Sequence, residues 1–171
     1  MLRRISRCVR KRMVYGFGEA GTAALIYVAD TAANYRLIMN YIKSIQDMGM
    51  RVKSLGFFET KTRPAFVNEN PGWYYCHKAD FGLNMKIKNE EVIAFAHDEP
   101  DLLIDLSPPD FLYTKYLAGV SRAHYKVGMF DTSQVDIYDL LLEVRANTSL
   151  QDLMKYISHY LQIIKKPVSD A

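Results

Sequence analysis

Six positions carry side chains that could do chemistry if the fold gathered them. Asp30, Thr31 and Asn34 follow one apolar run, Ser107 and Asp110 follow another, and Lys78 sits in the cluster His77-Lys78-Ala79-Asp80. Carboxylates, hydroxyls and an amide on short turns suit hydrogen bonding to a polar ligand, and a lysine supplies a charge partner for an anion. Asp30, Thr31 and Asp110 also precede helical patterns, and a helix amino terminus favours anions. The same residue types are the ordinary caps of helices, so both readings stand. His77, Lys78 and Asp80 are equally open between acid–base work and an exposed polar loop. Asp105, inside the second apolar run, demands a partner if it is buried, either in the same crevice or on a basic neighbour.

Other chemistries find less support. Gly16-Phe17-Gly18-Glu19-Ala20-Gly21 matches the spacing of a dinucleotide loop. That loop works only after a strand and before a helix, where backbone amides meet a pyrophosphate. Here it precedes the first strand and reads as a lead-in. No P-loop and no G-x-S-x-G elbow occurs. His97, His124 and His159 are scattered without ligand-like spacing. Neither a catalytic residue, a metal site nor a cofactor is expected.

Those positions depend on alternating strands and helices. Thr22 to Ala29 reads as a first strand, Ala32 to Met48 as a helix whose apolar stripe is Tyr35, Ile38, Ile42 and Ile45, and Arg51 to Phe58 as a second strand. Gly49 falls where a left-handed helix stop belongs. Trp73 to His77 is a third strand, followed by a short helix opened by Asn89 and ending near Ala96. Leu102 to Leu106 is a fourth strand, Asp110 to Ser121 a helix capped by Asp110, and Tyr125 to Met129 a fifth strand. The stretch from Met129 to Tyr138 is too short for a crossover helix, so a sixth strand, Tyr138 to Val144, is expected to run antiparallel at an edge. The capping box Thr148-x-x-Gln151 opens a last helix with the stripe Leu150, Leu153, Met154, Ile157, Leu161 and Ile164.

The expected class is therefore α/β: a single Rossmann-like three-layer domain, with a mostly parallel sheet of about six strands and an antiparallel edge strand. The expected order is 3-2-1-4-5-6, which reverses between strands one and four. Ligands bind at the carboxyl ends of strands beside such a reversal, and there Asp30, Thr31 and Asn34 would approach Ser107 and Asp110. The domain is expected over 21–166, after a basic tail, 1–20, and before a short tail, 167–171.

Charge is placed unevenly. Arg3, Arg4, Arg7, Arg10, Lys11 and Arg12 crowd the start without an acid among them. The chain holds 22 Lys and Arg against 19 Asp and Glu, so setting those six aside leaves 16 basic residues and a net of −3 on the body. A basic face for nucleic acid is not implied. The tail, with Leu2, Ile5, Cys8, Val9 and Met13 as a thin apolar face, can meet an anionic membrane surface or fold back onto the domain. It also has the look of an organelle transit peptide. Two cysteines, Cys8 and Cys76, make no disulfide framework. A cytoplasmic protein, peripheral at the inner membrane through its tail, is the expected setting.

Two family resemblances rest on these segments. Tyr27-Val-Ala-Asp-Thr-x-x-Asn34-Tyr35, Val52-Lys-Ser-Leu-Gly-Phe57, Leu102-Leu-Ile-Asp-Leu-Ser107, Lys126-Val-Gly128 and Tyr160-Leu161, with the basic start, resemble a domain-of-unknown-function family of bacterial proteins, mainly from Bacteroidota. That resemblance covers most of the chain and implies a fold class without an activity. Asp101 to Leu106, Tyr116-Leu-Ala-Gly119 and Lys126-Val-Gly128 resemble a β-α-β unit from the N-terminal half-fold of heptosyltransferase-type glycosyltransferases. It implies a shared half-fold. Two functions remain in view: a non-catalytic binding or interaction module, and a small enzyme or sensor. The second would bind a nucleotide, sugar nucleotide or other anion through Asp30, Thr31, Asn34 and Ser107, with Lys78 as charge partner.

Overall fold

The computed structural model describes residues 8–28, 30–131 and 136–165. Strands β1 (Thr22–Val28), β2 (Arg51–Phe58), β3 (Trp73–His77), β4 (Leu102–Asp105), β5 (Tyr125–Met129) and β6 (Leu140–Leu142) form one sheet. Its order is β3-β2-β1-β4-β5-β6. Helices α1 (Ala32–Asp47), α2 (Glu90–His97), α3 (Leu112–Val120) and α4 (Leu150–Ile163) cover it. The central strands β1 and β4 are apolar on both faces, as buried parallel strands must be. Leu25 and Ile104 pack under α1 and α4, whereas Ile26 and Leu103 pack under α2 and α3, giving two cores and three layers. The class is α/β and Rossmann-like, and the reversal between β1 and β4 is present.

The expected antiparallel edge is absent: β6 runs parallel to β5, pairing Val127 with Leu140 and Met129 with Leu142. The described residues of the β5–β6 connection, 130–131 and 136–139, hold no helix. Ten extended residues reach about 33 Å, twice what backtracking along a five-residue strand requires. The described end of this segment packs in a helix's place, with Ile137 and Tyr138 buried on the α3 face. It is also laced to the strand: the Asp139 N–H donates to the Lys126 carbonyl and the Lys126 N–H donates to the Asp139 carboxylate, both at 2.8 Å.

Residues 8–20 lie against the sheet's amino end. Arg10 pairs with Asp139 at 2.7 Å, and its side chain is 4% exposed. The Phe17 N–H donates to the Leu161 carbonyl at 2.8 Å, and the Phe17 ring joins the α1/α4 core. Gly16 sits so close to the last turn of α4 that a Cβ there would meet the Leu161 and Ile164 carbonyl oxygens. This contact, not a phosphate cradle, occupies the first glycine of the G-x-G-x-x-G spacing.

Candidate functional site

A cleft of about 500 Å³ opens at the carboxyl ends of β1, β4, β5 and β6. Its floor is apolar, made by Ile38 of α1, Leu106, Met129, Phe130, Val144 and Leu153 of α4. Phe130 is 41% exposed, an unusual state for a large ring beside the core. The rim is polar. Asp30 and Asn34 rise from the β1–α1 turn, Asp110 from the turn after β4, and Arg145 and Thr148 from the β6–α4 connection. Asn34 Nδ2 donates to both Asp30 carboxylate oxygens, at 3.0 and 3.3 Å, which fixes the amide's orientation. The rim therefore presents carboxylate acceptors, an amide carbonyl and a guanidinium above a greasy floor. Such a set can bond hydroxyls and seat the apolar face of a ring.

The structure brings Asp30, Asn34 and Asp110 together and leaves three other candidates elsewhere. Thr31 is the amino cap of α1, its Oγ1 accepting from the Asn34 N–H at 3.1 Å. Thr31→Ala is expected to cost about 1 kcal/mol in a urea titration, as a lost cap does. A stability unchanged within a few tenths would show that the cap contributes nothing. Lys78 lies in a 3₁₀ turn after the edge strand β3, exposed and not among the cleft residues. In that turn His77 and Asp80 form a reciprocal cap: His77 Nδ1 accepts from the Ala79 N–H and Asp80 accepts from the His77 N–H. Asp110 does not cap α3. Phe111 holds that position with no side-chain bond, because the turn closed by the Phe111 N–H and the Pro108 carbonyl consumes Asp110. Likewise α4 is capped by Ser149, paired with Asp152, rather than by Thr148 and Gln151.

Ser107 is fully buried, and it belongs to a different constellation. Residues 103, 105 and 107 share the face turned towards α3. Asp105 accepts from the Ser107 N–H at 2.9 Å, the Ser107 hydroxyl, Lys115 Nζ at 2.8 Å and the Tyr138 hydroxyl at 2.6 Å. Ser107 Oγ also meets Thr114 Oγ1, and Lys115 Nζ lies 5.5 Å from the centre of the Tyr138 ring. Asp105 and Lys115 are each 1% exposed or less. Burial, and then the adjacent Asp105 carboxylate, push the Tyr138 hydroxyl well above its ordinary range, so it stays a donor. This is a closed polar clasp joining β4, α3 and the crossing segment.

Arg145 and Thr148 escaped the sequence reading because the direction of β6 decides where they go. An antiparallel β6 would deliver them to the amino end of the sheet; a parallel one delivers them to the cleft. Of the basic residues, Arg10 and Arg12 are engaged by Asp139, and Lys11 is exposed. Arg3, Arg4 and Arg7 lie outside the described residues. No helix among the described residues is long and apolar enough to cross a membrane.

Solved structures share this fold. A glycosyl transferase of family 9 from Veillonella parvula superimposes with a TM-score of 0.54 at 16% identity, over 86% of this chain and 42% of that one. The E. coli heptosyltransferase WaaC, solved with ADP, gives 0.50 at 11% identity, over 87% of this chain and 50% of the other. The chain thus spans half the length of these proteins or less. No curated protein sequence matches it. The model of one family does match, across residues 3–164, nearly the whole alternation of strands and helices described above: the chain belongs to DUF6913, a family of unknown function.

Proposed function

We propose that the protein is a small-ligand-binding α/β module, and that its ligand sits in the cleft between the turns after β1 and β4 and the β6–α4 connection. The observation that carries this reading is the cleft's position. It opens beside the strand-order reversal, where parallel sheets bind ligands, and combines an apolar floor with a convergent polar rim. The rim chemistry favours a hydroxylated ring: Asp30 and Asp110 accept from hydroxyls, Arg145 donates, and Phe130 and Leu106 face the ring's apolar side. Binding without chemistry is the primary reading.

A second reading, a sugar-nucleotide enzyme or sensor, draws on the fold likeness to a glycosyl transferase and to a heptosyltransferase solved with ADP. In it Arg145 is the residue that meets a phosphate.

A thermal-shift series with monosaccharides, ADP, and ADP- and UDP-sugars tests both. A ligand at 100 times its dissociation constant adds about 2.7 kcal/mol. At this size that raises the melting temperature by roughly 5–10 °C. The expected hit is lost in Asn34→Ala and Arg145→Ala and kept in Thr31→Ala. A hit with sugars alone supports the binding module, and a hit that requires the nucleotide supports the second reading. A flat series, or hits indifferent to Asn34 and Arg145, would remove the cleft as the site.

A further inference from the structure

A second, smaller cavity of about 190 Å³ lies between the N-terminal segment and the α3 face of the sheet. Cys8, Arg10 and Arg12 wall it on one side, with Gly119 of α3, Lys126 of β5 and Ile137 of the crossing segment on the other. Lys126 is 2% exposed. Its Nζ donates to the Ala118 carbonyl at 2.6 Å and lies 3.5 Å from that of Gly119. These are carbonyls that the end of α3 leaves without helical partners. Among the described residues no carboxylate pairs with this ammonium. Asp139 is turned instead to Arg10 at 2.7 Å, to Arg12 at 3.7 Å and to the Lys126 backbone N–H.

A buried amine with guanidinium groups nearby gives up its proton readily. Desolvation first, then Arg10, bring the Lys126 pKa down to about 7; Arg12 acts in the same direction, while Asp139 and Cys8 oppose it. Asp136, at the cavity's rim, is the other acid facing the space. Desolvation and a neighbouring cation are the two means by which a lysine becomes a nucleophile near neutrality.

We propose that Lys126 captures a small α-oxo acid in this cavity as an imine, with Arg12 holding the carboxylate. Water occupies about 30 Å³ per molecule, so the space suits a ligand of about six non-hydrogen atoms and excludes a nucleotide. Glyoxylate and pyruvate are of that size. The Arg12 guanidinium, a fork of donors partly engaged by the Asp136 carbonyl, faces the same space. The Nζ lone pair forms the N–C bond while the carbonyl π pair moves to oxygen, which takes a proton. The carbinolamine then loses water to give the imine, with no change of oxidation state. This site is independent of the cleft.

Reductive trapping tests it on the wild-type protein. Full-length protein is treated with glyoxylate and cyanoborohydride, and the carboxymethylated lysines are mapped by mass spectrometry. At pH 7 the occupancy of Lys126 is expected to exceed that of any other lysine at least ten-fold. Between pH 6 and pH 8 its labelling should rise about ten-fold, against about 100-fold for ordinary lysines, whose amines remain almost wholly protonated there. Arg12→Ala should lower glyoxylate capture several-fold more than capture of acetaldehyde, which lacks the carboxylate and feels only the lost charge beside Lys126. Label spread over exposed lysines with Lys126 unmodified would overturn the proposal, as would a Lys126 yield that climbs 100-fold across that pH range. A loss in Arg12→Ala no greater for glyoxylate than for acetaldehyde would overturn the assignment of the carboxylate.

Discussion

Lys115→Met is expected to destabilise the protein by about 3–5 kcal/mol, the cost of stranding the buried Asp105 carboxylate without its cation. At this chain length that lowers the melting temperature by roughly 6–20 °C. The direction follows from completeness. Every oxygen of Asp105 has a donor, and Lys115 Nζ lies within reach of Asp105, the Ser107 carbonyl and Ser107 Oγ. Removing one member leaves the others desolvated and unpaired. The pair itself contributes little net stability, because desolvating two ions offsets most of their attraction. Asp105→Asn combined with Lys115→Met should therefore recover at least half of the loss: the amide oxygen still accepts from Ser107, the amide nitrogen donates to the Tyr138 oxygen in place of the bond it received, and both charges are gone. A single variant costing less than about 1 kcal/mol in urea unfolding, or a double variant no better than the single, would show that the clasp does not hold these elements together.

Gly128→Ala is the second large effect, at about 2–3 kcal/mol. A Cβ at residue 128 would lie 2.6–2.9 Å from three ring atoms of Tyr138. That ring cannot slide aside cheaply, since its hydroxyl is held by Asp105 and it is 3% exposed. The clash instead lifts the crossing segment from β5. Truncating the ring removes the clash, so in a Tyr138→Ala background the same glycine substitution should cost close to nothing. The coupling between the two positions should then be roughly 2 kcal/mol, readable from a double-mutant cycle. Additive effects would mean that the segment adjusts without strain.

These two predictions concern the part of the molecule that the sequence reading handled least well. The β1-α1-β2 unit was legible because its signals are local: an apolar run, Thr31 where a cap belongs, and Gly49, whose φ of 91° needs glycine. The sheet order followed from the reversal rule, and the structure has it. The direction of β6 was illegible because parallel neighbours ordinarily need a crossover of a dozen or more residues, and the connection between β5 and β6 is shorter. That single inversion hid Arg145 and Thr148 of the cleft's rim, whereas the positions of Asp30, Asn34 and Asp110 follow from turn chemistry beside strand ends. Ser107 was misplaced for another reason. Period-two alternation puts it on the face of Asp105, opposite the cleft, and a hydroxyl at a strand end says nothing about which face it takes. The need of Asp105 for a partner was plain, but Lys115 reads as an ordinary helix residue and Tyr138 arrives from 33 positions away.

The contact between Gly16 and the last turn of α4 has a topological consequence. The approach to β1 and the end of α4 lie side by side, with the Phe17 N–H on the Leu161 carbonyl at 2.8 Å. Because α4 starts at the cleft and runs back along the sheet, this junction sits at the end of the domain remote from the ligand side. Fusion, insertion into a host chain or circular permutation through that corner would leave the cleft's walls in place.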